Sequence, residues 1–171
     1  MELGAAHRAS GDLFQAEAMY RAAAQLKRGD AEILCRLGVT LMAQGKWAEA
    51  RGPLFQAVRA NPGDPHAFND LGIVFSNLGD AAASEKNFQR ALELSPDFAE
   101  ARVNYGFLLL KAGRTEDAEG QFRKALEEKK DFPEALAGLG YCAMARGNGT
   151  EAKTLLEKSR RLKPSLSPPG K

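Results

Sequence analysis

Residues 65–98 read PHAFNDLGIVFSNLGDAAASEKNFQRALELSPDF, and residues 99–132 read AEARVNYGFLLLKAGRTEDAEGQFRKALEEKKDF. Laid over one another, the two stretches agree wherever a helical pair constrains the side chain. Leu71-Gly72 falls on Tyr105-Gly106, Gly79 on Gly113, Ser84 on Ala118, Phe88 on Phe122 and Ala91 on Ala125. Stepping by the same 34 residues in both directions yields two unbroken glycine series, Gly4, Gly38, Gly72, Gly106, Gly140 and Gly11, Gly45, Gly79, Gly113, Gly147. A period of this size marks a solenoid whose units bury their apolar faces only by stacking on one another.

Further positions keep the register. Ala16, Ala50, Ser84, Ala118 and Ala152 are small. Four residues later stand Tyr20, Leu54, Phe88, Phe122 and Leu156, followed by Ala23, Ala57, Ala91, Ala125 and Ser159. Leu3, Leu37, Leu71, Tyr105 and Leu139 precede the first glycine series, and Pro62, Pro96 and Pro164 close three units. The pattern resembles the tetratricopeptide repeat, a helix–turn–helix unit of the form L-G…A-x₃-F…A…P. The resemblance covers residues 1–166. It implies an all-α, right-handed solenoid of antiparallel helix pairs, with repeats at 1–30, 31–64, 65–98, 99–132 and 133–166 and a loose tail at 167–171. Residue 1 matches the fifth position of a repeat, so the first helix is expected to lack its opening turn and to fray over Met1–Ala6.

Physical chemistry supports the same layout. A glycine inside a helix costs about 0.5–1 kcal/mol relative to alanine, so the first series is expected to mark close helix crossings. The second series falls where first helices end, as C-caps do. The second helices carry small, large apolar and small residues at spacings of four and three, a single stripe. Asp30, Asp64, Asp97 and Asp131 are placed to cap the first helices that follow. Asn148-Gly149-Thr150 spells a glycosylation acceptor, but its place in the register is a turn between helices.

Composition argues against several functions. Twenty-four basic residues balance 22 acidic ones for a formal charge of +2, which makes no case for nucleic-acid binding. No apolar run reaches the roughly 18–20 residues of a membrane span, and direct membrane insertion is not expected. Cys35 and Cys142 lie in different repeats and are expected as free thiols, favouring the cytoplasm. His7 and His66 have no partners at a metal-ligand spacing. No phosphate loop, dinucleotide fingerprint or activated nucleophile is present. No enzyme activity and no cofactor or metal is expected.

Glu32, Glu100 and Glu134 recur at the second position of their helices, where a carboxylate favours the helix dipole. An acidic ladder for a basic partner is the alternative. Lys153, Lys158, Arg160, Arg161 and Lys163 give the last helix the polar outer face that a terminal repeat needs. Trp47, at the start of a second helix, is expected in the core.

The resemblance further implies that first helices line a concave groove. The ninth position of successive repeats reads Ala5, Val39, Ile73, Phe107, Tyr141, and the twelfth reads Arg8, Met42, Ser76, Leu110, Met144. With Asn69 and Asn104, the candidate groove residues are Val39, Met42, Asn69, Ile73, Asn104, Phe107, Leu110, Tyr141 and Met144. Met and aromatic side chains suit an adaptable surface for an amphipathic helix or an extended peptide. Phe107 is expected to face solvent in the free protein, although these side chains could also add to the core. Members that clamp a chaperone tail's carboxylate use Lys, Asn and Arg where this chain has Cys35, Val39, Asp70, Glu100 and Asn104, or Asn69, Ile73, Asn104, Glu134 and Gly138. That function is not expected. Of the asparagine ladder carried by repeats of protein O-glycosyltransferases, only Asn104 is present. The reading is a scaffold or adaptor for a protein or peptide. The alternatives are a structural protein that self-assembles, with its N-terminal end as one contact, and a substrate-recruiting segment of a larger enzyme such as a glycosyltransferase.

Overall fold

The computed structural model describes residues 12–163. Leu3, Gly4, Gly11, Pro164, the fraying expected for Met1–Ala6 and the tail at 167–171 lie outside the described residues. Among the described residues the chain forms nine α-helices and no strand. They belong to two compact modules divided between Leu94 and Ser95. In the first module α1 (Leu13–Leu26) packs on α2 (Ala31–Ala43), α2 on α3 (Trp47–Ala60), α3 on α4 (Pro65–Leu78) and α4 on α5 (Ala81–Leu94). In the second module α6 (Ala99–Lys111) packs on α7 (Thr115–Glu128), α7 on α8 (Pro133–Ala145) and α8 on α9 (Gly149–Leu162). Each module is thus a stack of helix pairs, an all-α solenoid in which first helices also touch, α2 with α4 and α6 with α8.

One contact recurs in every complete pair. The first-series glycine lies directly beneath the large apolar residue sixteen positions later, Gly38 under Leu54, Gly72 under Phe88, Gly106 under Phe122 and Gly140 under Leu156. A methyl group on Gly72 would sit 2.6 Å from the Phe88 ring, and one on Gly106 would sit 2.7 Å from Phe122. Neither distance is tolerable. Phe88 and Phe122 are fully buried, each contributing about 1.5–3 kcal/mol of hydrophobic stabilisation. Gly138 touches the same Phe122 ring, which is therefore held between the first helices of two successive repeats. Small residues keep the paired helices close: Ala50, Ser84, Ala118 and Ala152 are all buried. Where the small residue is serine it finds an acceptor, Ser84 Oγ donating to the Gly72 carbonyl and Ser159 Oγ to that of Pro133, both at 2.7 Å.

The second glycine series ends the first helices as expected. Gly79 has φ +83° and Gly113 φ +76°, conformations that a side chain would strain. In all four turns the next residue donates its amide to the carbonyl five residues back, Lys46 to Leu41, Asp80 to Phe75, Arg114 to Leu109 and Asn148 to Ala143. This is the closure of a Schellman cap.

The aspartates divide. Asp30 accepts the Ile33 amide at 3.1 Å, and Asp64 accepts those of His66 and Ala67. Asp97 and Asp131 do not cap: Phe98 and Phe132 occupy the N-cap positions of α6 and α8. The reason is register. Both aspartates stand one residue earlier than Asp30 and Asp64 do, and an apolar ring takes the last position of the repeat. Phe132 is buried there, and Asp97 instead accepts a hydrogen bond from Ser95 Oγ at 2.7 Å. Asn148 is the cap of α9, accepting the Glu151 amide at 3.3 Å, as its reading as a turn residue requires. Trp47 packs partly buried against the core of the first module.

Two glycines of the second module should respond to alanine with opposite signs. Gly120 lies inside α7 with nothing within 4 Å of a would-be methyl, so Gly120→Ala should stabilise by about 0.4–1 kcal/mol. Gly106→Ala should destabilise by about 1–3 kcal/mol, and Gly106→Leu by more. Urea unfolding of the three variants measures this, and hydrogen exchange should place the loosening chiefly in α6 to α8.

Candidate functional site

In the first module Val39 and Met42 project from α2, and Asn69 and Ile73 from α4. Val39 and Ile73 are half-buried, Met42 packs against the core, and Asn69 is only 7% exposed. Asn69 Nδ2 donates to its neighbour Asp70 at 3.5 Å. Beside Val39 lies an open cleft of about 510 Å³ walled by Cys35, Arg36, Asn61 and Asp64. Cys35 is half-buried within it. Burial pushes its thiol up to about 12, with the carboxylates of Asp64, Asp70 and Glu32 adding to the effect. Such a thiol stays protonated at neutral pH and is a poor nucleophile. Cys142 is buried and its thiol is likewise raised by burial.

In the second module the candidate residues form a more apolar surface. Phe107 on α6 and Tyr141 on α8 place their rings 6.4 Å apart, tilted by 55°. Leu110 and Asn104 are half-buried, and Met144 is 57% exposed. Phe107 does not simply face solvent, as the sequence reading expected. Its ring meets the buried Phe122 edge-on at 5.0 Å, so one side belongs to the core and the other to the surface. Gly138 explains this. With no side chain at that position of α8, Phe122 moves against the first helices and meets Phe107 from below.

The acidic ladder is internally engaged. Glu32 pairs with Arg36 at 2.7 Å, Glu100 with Lys129 at 3.5 Å and Glu134 with Lys163 at 2.7 Å. In the last two cases the carboxylate opening a first helix meets a lysine at the end of the second helix of the same repeat. The sequence reading missed a different carboxylate pair, Glu17 and Glu119, which occupy the same repeat position. Glu17 accepts hydrogen bonds from Lys46 and Arg21 at 2.7 Å and from Gln44 at 2.9 Å. Glu119 pairs with Arg123 and with Arg146. Each carboxylate links a second helix to the end of the first helix in the next repeat. Only the i,i+4 arginine was legible as a signal. Among the described residues no group of three or more His, Cys, Asp or Glu is arranged to hold a metal ion. No described helix is long and apolar enough to cross a membrane.

Stacked helix pairs of this form, with first-helix glycines under second-helix rings, define a helical-repeat protein. Sequence profiles of the tetratricopeptide repeat match residues 7–70, 69–131 and 108–167, and the chain belongs to that family. No curated protein sequence matches significantly. Among solved structures, a crystal structure of MamA superposes with a TM-score of 0.81 at 24% identity, covering 96% of each chain. TTC0263, a thermophilic TPR protein of Thermus thermophilus, superposes at 0.82 with 20% identity, over 96% of this chain and 90% of its own. YrrB, described as a TPR protein with an unusual peptide-binding site, superposes at 0.71 with 25% identity, over 95% of this chain and 84% of its own.

Two outcomes follow from this geometry. Hydrogen bonding to Lys46, opposed by burial and reinforced by Arg21 and Gln44, lowers the Glu17 carboxyl from 4.5 to about 2. Its contribution to stability is then complete above pH 4.5 and disappears as pH falls towards about 2. Because the partner side chains are partly open to solvent, about 0.5–1 kcal/mol is the expected size. Urea unfolding of wild type and Glu17→Gln should differ by that amount at neutral pH and converge in acid. Phe107→Glu should lower the melting temperature by several degrees, since a charge would replace a ring packed on Phe122. Met144→Glu should leave it within about 1 °C of wild type.

Proposed function

We propose that the protein is a non-enzymatic scaffold or adaptor that holds a peptide or protein segment against its first helices. Phe107, Leu110, Tyr141 and Met144 of the second module are the main contacts; Val39 and Ile73 are the corresponding apolar residues of the first module. One observation carries the reading: two adjacent first helices present aromatic rings 6.4 Å apart beside a methionine that is 57% exposed. The Phe107 ring, held from below by Phe122, loses little entropy on contact, and methionine adapts to varied side chains. Membership of the tetratricopeptide repeat family supports protein or peptide partners, and the peptide-binding site named for YrrB supports a peptide. On this reading Asn104 is a polar contact beside the rings.

A peptide library displayed against the wild-type protein tests this. Selected peptides should carry apolar anchors, and their affinity by fluorescence anisotropy should fall about tenfold or more in Met144→Glu and Tyr141→Ser. Both variants should keep wild-type circular dichroism. Selected peptides that bind both variants with unchanged affinity would contradict the assignment of this face.

A further inference from the structure

The second helices of the first module carry a different surface. Between α3 and α5, over the outer side of α4, lies a cleft of about 470 Å³ whose floor and walls include Phe55, Val58, Phe68 and Phe75. This is within the range of pockets that accept small ligands or single anchoring side chains. Phe55 is 53% exposed at its edge. Phe68 and Phe75 lie half-buried below, packed against the module core.

Phe55 breaks the repeat. Its position is filled elsewhere by Arg21, Gln89, Arg123 and Glu157. In the first and fourth repeats that residue is an arginine held by the carboxylate four residues earlier, Glu17 with Arg21 and Glu119 with Arg123. In the second repeat Arg51 replaces the carboxylate and Phe55 replaces the arginine. A self-satisfied ion pair has become an exposed ring with a cation beside it.

The rim is basic. Arg51, Phe55 and Arg59 stand at intervals of four on α3, one face of the helix, and all three are exposed. Lys86 and Arg90 approach from α5, with the Arg90 guanidinium 5.9 Å from the Phe68 ring centre. The carboxylate in the wall, Glu93, is taken by Arg90 at 2.9 Å. Apolar floor and cationic rim together select an occupant with the opposite rim.

We infer that this cleft is a second docking site, taking an acidic amphipathic peptide segment whose apolar anchors enter over Phe55, Phe68 and Phe75 while its carboxylates meet Arg51, Arg59 and Lys86. A concave seat for a side chain fits a peptide better than a lipid surface, which takes protruding residues. Buried apolar contact with a charged rim is the usual anatomy of a protein interface, and the rim charges set which partner is accepted. None of the cleft's lining residues is among the first-helix contacts proposed above.

The test uses the full chain and three labelled probes. These are a short helix-forming peptide with leucine and phenylalanine on one face and glutamates at its edges, the same peptide with lysines for the glutamates, and a third with alanines for the apolar residues. Fluorescence anisotropy should show the acidic amphipathic peptide binding about tenfold or more tightly than either relative, and more weakly as salt rises. Phe55→Ser should reduce its affinity about tenfold. Arg51→Glu/Lys86→Glu, which changes only exposed side chains, should turn the preference towards the lysine peptide. Lys124→Gln, an exposed change in neither proposed site, should leave binding unchanged, and a peptide selected against Phe107 and Tyr141 should not displace the acidic peptide, so failure there and failure here are distinguishable. Equal binding of the acidic and basic peptides, or undiminished binding by Phe55→Ser, would overturn the proposal. So would Phe55-dependent binding to anionic phospholipid vesicles with no binding of the acidic peptide.

Discussion

The contact between a first-helix glycine and the large apolar residue on its partner helix holds the remaining features in place. Without a side chain on Gly72 or Gly106, the rings of Phe88 and Phe122 lie against backbone, and the two helices approach at that point. The helix accepts the entropic cost of an interior glycine, about 0.5–1 kcal/mol, because a whole ring is buried in return. The same approach forces small residues at Ser84 and Ala118. A short connection must then close the pair, which left-handed glycines such as Gly79 supply. Since each repeat presents apolar surface to the next, the contact also sets how the stack continues within each module.

The surfaces proposed for recognition are consequences of that packing. Phe122 touches both Gly106 and Gly138 and supports Phe107 from beneath, so the aromatic shelf of the second module is an extension of its core. Met144 is exposed. On the second helices, the residue one turn after the glutamate position is free to vary without disturbing the glycine contact. Arginine there yields a carboxylate clamp, as at Glu17 and Glu119. Phenylalanine there yields an open cleft. One scaffold position thus switches between internal neutralisation and an outward apolar surface.

Repetition decided what could be seen beforehand. The helix pairs, their turns and the glycine crossings were legible because each imposes a residue type every 34 positions. Features set by one repeat alone were not. Asp97 and Asp131 looked like caps, but a one-residue offset gives the capping position to Phe98 and Phe132. Phe107 was expected to face solvent, and the glycine at 138 that lets Phe122 reach it is a departure from the repeat with no sequence precedent in this chain. Glu17 meets Lys46 across 29 residues, a pairing that only the packed helices define. Phe55 escaped notice because the groove reading attends to first helices, although its apolar character among Arg21, Gln89, Arg123 and Glu157 was available by comparison.

The central claim is that glycine and ring form a coupled pair, and a double-mutant cycle on Gly106 and Phe122 tests it most directly. Gly106→Ala and Phe122→Leu would be made singly and together, and their unfolding free energies compared. If the methyl group and the ring compete for one space, the double variant should be less destabilised than the sum of the singles by about 1 kcal/mol or more. Additivity within about 0.3–0.5 kcal/mol would show that the two positions act independently and contradict the account.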